Sequence, residues 1–113
     1  YLDAKGFLPH LPQSALPAWA LSCEGYLEGG VRSVEIGSVM FAQPDPETGQ
    51  TVYPDLELVR LAIPRRVYTN RHMDYVAETF GKLLEKRNKI KGVRYTYQPE
   101  RLRHFLSKFE PLD

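Results

Sequence analysis

Arg60 is the residue most suited to chemistry in this 113-residue chain. It sits inside the apolar run Leu58-Val59-Arg60-Leu61-Ala62-Ile63, where a guanidinium must either face water or meet an anion, because burying it unpaired is prohibitive. Two readings follow. Arg60 points outward from a half-buried strand, or its planar fork clamps a carboxylate or phosphate through paired hydrogen bonds. Pro64-Arg65-Arg66 extends such an anion site or simply forms a solvated turn. His104, flanked by Arg103 and Phe105, is either a surface residue or a polar group at a pocket mouth, able to hydrogen-bond or exchange a proton near neutral pH. His72 and Asp74 share no helical face and His10 stands alone, so no histidine pair has metal-ligand spacing. Tyr95 and Tyr97, alternating with Arg94 and Thr96, form either a base-stacking platform or ordinary strand chemistry. No Walker loop, GxGxxG or GxSxG is present.

The elements that must position these groups follow from periodicity. Residues 1–13 hold two prolines and a glycine and read as an extended entry segment. Ser14 opens a helix to about Glu28, stopped by Gly29-Gly30, with Leu16, Ala20, Cys23 and Leu27 as its buried stripe. Val31 to Ala42 alternates as a strand, with Val34 and Ile36 opposed to Ser33 and Glu35, interrupted at Gly37. Residues 43–54 are turn chemistry. Glu57 to Ile63 is a strand antiparallel to the previous one. Thr69 caps a helix to about Asn88, Val93 to Tyr97 is a strand, and Pro99 opens a last helix with a Leu102, Phe105, Leu106, Phe109 stripe. This order predicts one α+β domain over residues 1–113, a small and mostly antiparallel sheet covered by helices.

Composition bounds the function. At 42% apolar and 26% charged residues, the chain suits a packed core. It lacks an apolar run long enough to span a bilayer, and the single Cys23 excludes a disulfide scaffold and suits a reducing compartment. Residues 1–59 carry a net charge of −6 and residues 60–113 one of +7. The second half therefore offers a basic face to an anion, without the overall positive charge typical of a nucleic-acid binder. On composition and spacing alone, a free-standing anion- or RNA-binding module and an interaction domain with no ligand both stay open.

Several segments, in order and at the right separations, resemble the carboxy-terminal part of the tryptophanase and tyrosine phenol-lyase family. They are Leu8-Pro9-His10-Leu11-Pro12, Gly30 to Ser38, Val59 to Arg65, Tyr68-Thr69, His72-Met73-Asp74, Lys91 to Tyr97 and Leu102-Arg103-His104-Phe105. The resemblance implies a pyridoxal-phosphate-dependent β-eliminating lyase of the aspartate-aminotransferase-like fold. Such enzymes are cytoplasmic homotetramers in which a small domain, made largely from the carboxy terminus, closes on a large cofactor domain. It implies that Arg60 binds the substrate α-carboxylate, and that His104, Phe105 and Ile36 shape the aromatic end of the site. Tyrosine phenol-lyases have arginine at the place of Ile36 and phenylalanine at that of His104, whereas tryptophanases have an apolar residue and a histidine. Both positions therefore point to L-tryptophan, cleaved to indole, pyruvate and ammonia. Ala62 departs from the usual threonine, and Arg65-Arg66-Val67-Tyr68 looks more like the tyrosine enzymes. None of Lys5, Lys82, Lys86, Lys89, Lys91 or Lys108 lies in a segment matching the cofactor lysine. The expectation is a portion of a longer lyase, inactive alone, whose cofactor and any monovalent cation such as potassium bind elsewhere, with no nucleic-acid or membrane partner.

Overall fold

The computed structural model describes residues 1–113 and shows an α+β fold of five α-helices and seven short strands in three antiparallel sheets. The entry segment is not extended. Strand β1 (Leu2–Asp3) leads into a single helical turn, α1 (Ala4–Phe7), because the Asp3 carboxylate accepts the Lys5 N–H at 3.1 Å and the Ala4 N–H reaches the Glu57 carbonyl. Ala4 and Leu8 are thereby fully buried.

Helix α2 (Pro17–Gly29) starts at Pro17, not Ser14, because residues 13–15 form a separate 3-10 turn that ends at Leu16 in a left-handed conformation. It ends at Gly30, where φ of +68° favours glycine. Its buried stripe differs from expectation: Ala18, Ala20, Leu21 and Gly25 are buried, and Cys23 and Leu27 are exposed. The reason is that α2 packs on two sides. Ala18 and Leu21 join Ala4, Leu8, Val59, Phe80, Leu83 and Ile90 in the main core. Ala20 and Leu16 join Val39 and Val93 in a second cluster flanked by Trp19, Tyr95 and Phe109.

The expected long strand from Val31 to Ala42 is short. Strand β2 (Val34–Ile36) gives way after Gly37 to a helical turn, α3 (Ser38–Phe41). Strands β3 (Gln43–Pro44) and β4 (Thr51–Val52) make a small hairpin within the turn-rich segment. Asp45 organises that hairpin by accepting the N–H groups of Glu47 and Thr48. Strand β5 (Leu58–Arg60) pairs antiparallel with β1 and β2 in the order β1-β5-β2, as the sequence predicts for the β2 and β5 segments.

Helix α4 (Asn70–Glu85) is capped at Thr69, whose N–H donates to His72 Nδ1 at 2.9 Å. It packs on α2, where Gly25 leaves room for the Phe80 ring. Strand β6 (Val93–Tyr97) pairs with β7 (Lys108–Pro111). The last helix, α5 (Arg103–Leu106), is a single turn. The Leu102 backbone is left-handed and Phe109 lies in β7, so the expected helical stripe from Leu102 to Phe109 does not exist. No helix is long and apolar enough to cross a membrane.

Candidate functional site

The register of β2 and β5 builds the first part of the site. Val34 pairs with Arg60 and Ile36 with Leu58, so Ile36 and Arg60 are diagonal neighbours on one sheet face. Arg60 is exposed and has no carboxylate within ion-pairing distance, which leaves its fork free. Arg65 and Arg66 are exposed in the following turn, and Ile36 is half-buried.

Alternation turns Glu35 to the face opposite Val34 and Ile36, as the sequence pattern has it, and that face is the buried one. Glu35 is 2% exposed, whereas Val34 and Ile36 are only partly covered. Its carboxyl oxygens accept the N–H groups of Val39 at 3.1 Å and Met40 at 3.2 Å, which tie the first turn of α3 back onto β2. Glu57, fully buried, faces the same interior, and its Oε1 accepts from Ser38 Oγ and Gln13 Nε2. Burial, reinforced by the negative charge of Glu57, pushes the Glu35 carboxyl up to about 7 against the opposing backbone N–H bonds.

Helix α5 lies along the free edge of β2. His104 Nε2 donates to the Glu35 carbonyl at 2.8 Å and is 3.5 Å from Glu35 Oε2. The Trp19 ring meets the imidazole edge-on at 5.8 Å while stacking on Phe109 at 4.2 Å. Arg103 anchors the turn by donating to the carbonyls of Val39 at 2.7 Å and Ala42 at 2.5 Å, at the end of α3. Phe105, by contrast, is 77% exposed, with its ring 5.2 Å from that of His104.

Two grooves are lined jointly by His104 and Phe105. One, about 680 Å³, runs past Val39, Met40 and Leu102; the other, about 660 Å³, past Trp19, Cys23, Tyr26 and Leu27. Ile36 and Arg60 line neither. The structure thus places the four predicted residues in two adjoining pairs: Arg60 with Ile36 on the sheet face, and His104 with Phe105 along its edge.

The lysines bear on the cofactor. All six are exposed, and Lys86 is paired with Glu28 at 2.9 Å, which raises its pKa. A lysine that is to attack a carbonyl needs the opposite, a desolvated amine with a lowered pKa. Lys86, exposed and ion-paired, does not meet that requirement.

The profile of the beta-eliminating lyase family matches residues 2–79. The chain belongs to that family. Tyrosine phenol-lyase of Pasteurella multocida is 53% identical over 111 residues, covering 98% of this chain and 24% of that protein. Tyrosine phenol-lyase of Symbiobacterium thermophilum is 51% identical over 112 residues, 99% of this chain and 24% of that protein. Tryptophanase of Haemophilus influenzae is 45% identical over 113 residues, 100% of this chain and 24% of that protein. The chain therefore spans about a quarter of the length of the curated relatives it matches.

Glu35, Glu57, Trp19 and Arg103 are the groups packed around these candidate residues that sequence reasoning missed. The available signal was Glu35 and Glu57 at positions two residues from a glycine and from an apolar strand residue, in segments otherwise suited to burial. The tyrosine platform has a structural explanation, since the Tyr95 ring packs 4.9 Å from Phe109 in the second core cluster.

Proposed function

We propose that this chain is the substrate-recognition part of an enzyme that cleaves an aromatic amino acid by β-elimination, with L-tryptophan as its substrate. The observation that carries the proposal is the free fork of Arg60 on the same sheet face as apolar Ile36, next to an edge that presents His104 and Phe105. Arg60 holds the substrate carboxylate in a bidentate pair and so fixes the orientation of the Cα–H bond. Ile36 offers an apolar wall, and His104 a hydrogen-bonding edge, to an indole ring. Closure of this part onto a larger domain of the same chain brings these groups to the reacting atoms and excludes water.

The cofactor of such a lyase, pyridoxal 5'-phosphate, serves as electron sink for the Cα carbanion. In this reading it is attached to a lysine outside these residues, in a homotetramer whose monovalent-cation site also lies elsewhere. The isolated 113 residues are accordingly inactive.

A second reading, tyrosine phenol-lyase, is favoured by the 51–53% identity to relatives of that name, against 45% to the Haemophilus tryptophanase. Expressing the complete reading frame with pyridoxal phosphate and assaying tryptophan and tyrosine in parallel decides between them. Indole without phenol is the expected result. Phenol without indole moves the assignment to tyrosine, and neither product overturns the lyase proposal.

A further inference from the structure

Three consecutive residues open α3, and two buried carboxyls hold all three. Ser38 Oγ donates to Glu57 Oε1, and the N–H groups of Val39 and Met40 donate to Oε1 and Oε2 of Glu35. Gly37, at the N-cap, makes no side-chain bond, so this single turn owes its start to Glu35 and Glu57. Glu57 Oε1 also accepts from Gln13 Nε2 at 3.1 Å, and the same amide donates to the Pro54 carbonyl at 2.8 Å. The pair therefore ties the 3-10 turn, β2, α3 and the approach to β5 together at one corner.

One atom of this arrangement is left over. Glu57 Oε2 is buried and receives no hydrogen bond. It points at the α-carbon of Gly37, and Glu35 Oε1 converges on the same place, 2.7 Å from where a Cβ would stand. A carboxylate can only accept, so two ionised groups would leave Oε2 unmet and set two negative charges near one another. A proton on Glu35 Oε1 supplies the missing donor and removes one charge. The other groups facing the pair do not remove this need. From α5, His104 Nε2 lies 3.5 Å from Glu35 Oε2, and Arg103 is spent on the carbonyls of Val39 and Ala42. Tyr95 of β6 and Tyr53 after β4 share a cavity with Ser38 and Arg103, and burial raises the Tyr95 phenol, which keeps it uncharged. No lysine or arginine lies within ion-pairing distance of either carboxyl.

We propose that Glu35 and Glu57 share one proton, held between Glu35 Oε1 and Glu57 Oε2, and that this proton is a latch on α3. When it leaves to solvent, the pair passes from one negative charge to two and the corner loosens. Val39 and Met40 wall the groove of about 680 Å³ that His104 and Phe105 also line, so the latch governs the shape of that groove. Burial, with the charge of Glu57, pushes the Glu35 carboxyl up to about 7, which sets the release near neutral pH. The latch works in the same way whichever amino acid the enzyme cleaves.

The experiment is amide hydrogen exchange on the complete protein from pH 5 to pH 8, corrected for the base catalysis common to all amides. Val39 and Met40 report on the corner, and Leu83, in the main core, is the reference. Protection at Val39 and Met40 should fall by about tenfold or more between pH 5 and pH 7, then level off. One released proton allows at most tenfold per pH unit. Leu83 should fall less. Glu57→Gln keeps the side-chain volume and the acceptor for Ser38 and Gln13, and its amide N–H replaces the shared proton as donor to Glu35. It should fold and hold the corner closed throughout, with a flat profile. Protection that does not change with pH in the wild type, or that falls only in step with Leu83, overturns the latch. A Glu57→Gln protein that keeps the wild-type slope, or that fails to fold, overturns it as well. No product is assayed, so these outcomes stand apart from the fate of the lyase proposal.

Discussion

Glu35 and Glu57 face one another across the α-carbon of Gly37, inside the protein. A methyl group added to Gly37 would lie 2.7 Å from Glu35 Oε1 and would collide outright with Glu57 Oε2. The two carboxyls come from different parts of the chain, one from β2 and one from the residue before β5, and antiparallel pairing of those strands turns both to the buried face. Two such groups cannot both be ionised cheaply in a low-dielectric interior. Glu35 yields, with its pKa pushed up to about 7.

That shift makes stability depend on pH in a defined direction. The carboxyl is protonated in the folded protein up to about pH 7, whereas in the unfolded chain it ionises near its ordinary value of 4.5. Between those values the folded state binds more protons, so the contribution of Glu35 to stability is fully present below pH 4.5 and falls as pH rises to 7. The total loss is on the order of 3 kcal/mol. Replacing Glu35 by glutamine should flatten this part of the profile. The check is thermal melting of the complete protein from pH 4.5 to 8. A Glu35→Gln profile parallel to that of the wild type would reject this account.

Gly37 is required for space, not for backbone freedom. Its φ of −159° is available to any residue, but its Cβ position is taken by the two carboxyls. Gly37→Ala should therefore destabilise by roughly 2 kcal/mol or more, the usual range for overpacking a rigid interior. Adding Glu57→Gln should recover little of this, because the side-chain volume is unchanged. Melting of the single and double variants measures both effects.

How far the fold was legible depended on what each residue packs against. Helix α4 and its Thr69 cap, strand β6 and the antiparallel pairing of β2 with β5 follow from local patterns that tertiary contacts reinforce. The face of α2 was misjudged because a helix packed on two sides has no single stripe, so Ala18 and Leu21 displaced Cys23 and Leu27 from the core. Which face of β2 is buried has a related cause. Alternation says that Glu35 and Val34 point apart, but which of them is inside depends on Glu57, Ser38 and Gln13 arriving from other segments. Periodicity continued α5 to Phe109, whereas the left-handed Leu102 and the pairing of Phe109 with Tyr95 confine it to one turn. Arg60 was legible as a charge in an apolar strand, and the structure adds that its fork is unpaired.

Because Arg60 is exposed and unpaired, its removal should separate function from stability. Arg60→Ala in the complete enzyme should change the melting temperature negligibly, as surface substitutions usually do. It should lower kcat/KM for the amino acid by about 10- to 150-fold, corresponding to the loss of one charge-assisted partner. Arg60→Lys should restore only part of this, since an ammonium cannot make the paired contact. Steady-state kinetics on the three proteins tests the assignment, and an unchanged kcat/KM for Arg60→Ala would refute it.

Arg103 should affect recognition without touching the substrate. Its guanidinium joins the turn carrying His104 and Phe105 to the carbonyls of Val39 and Ala42, and it is the only strong polar tie between α5 and α3. Arg103→Ala breaks both bonds and should cost about 2 kcal/mol of stability, given that bonds to charged groups are worth more than neutral ones. The turn would then sample other positions, and the aromatic end of the site would lose its fixed edge. KM for the aromatic amino acid should rise several-fold, while a β-substituted alanine with a leaving group too short to reach His104 is used with nearly unchanged kcat/KM. Arg103→Lys retains the charge and one bond and should fall between the two. Kinetics on the long and the short substrate measure this split. An equal loss on both would show that Arg103 supports the whole segment, with no specific share in positioning His104.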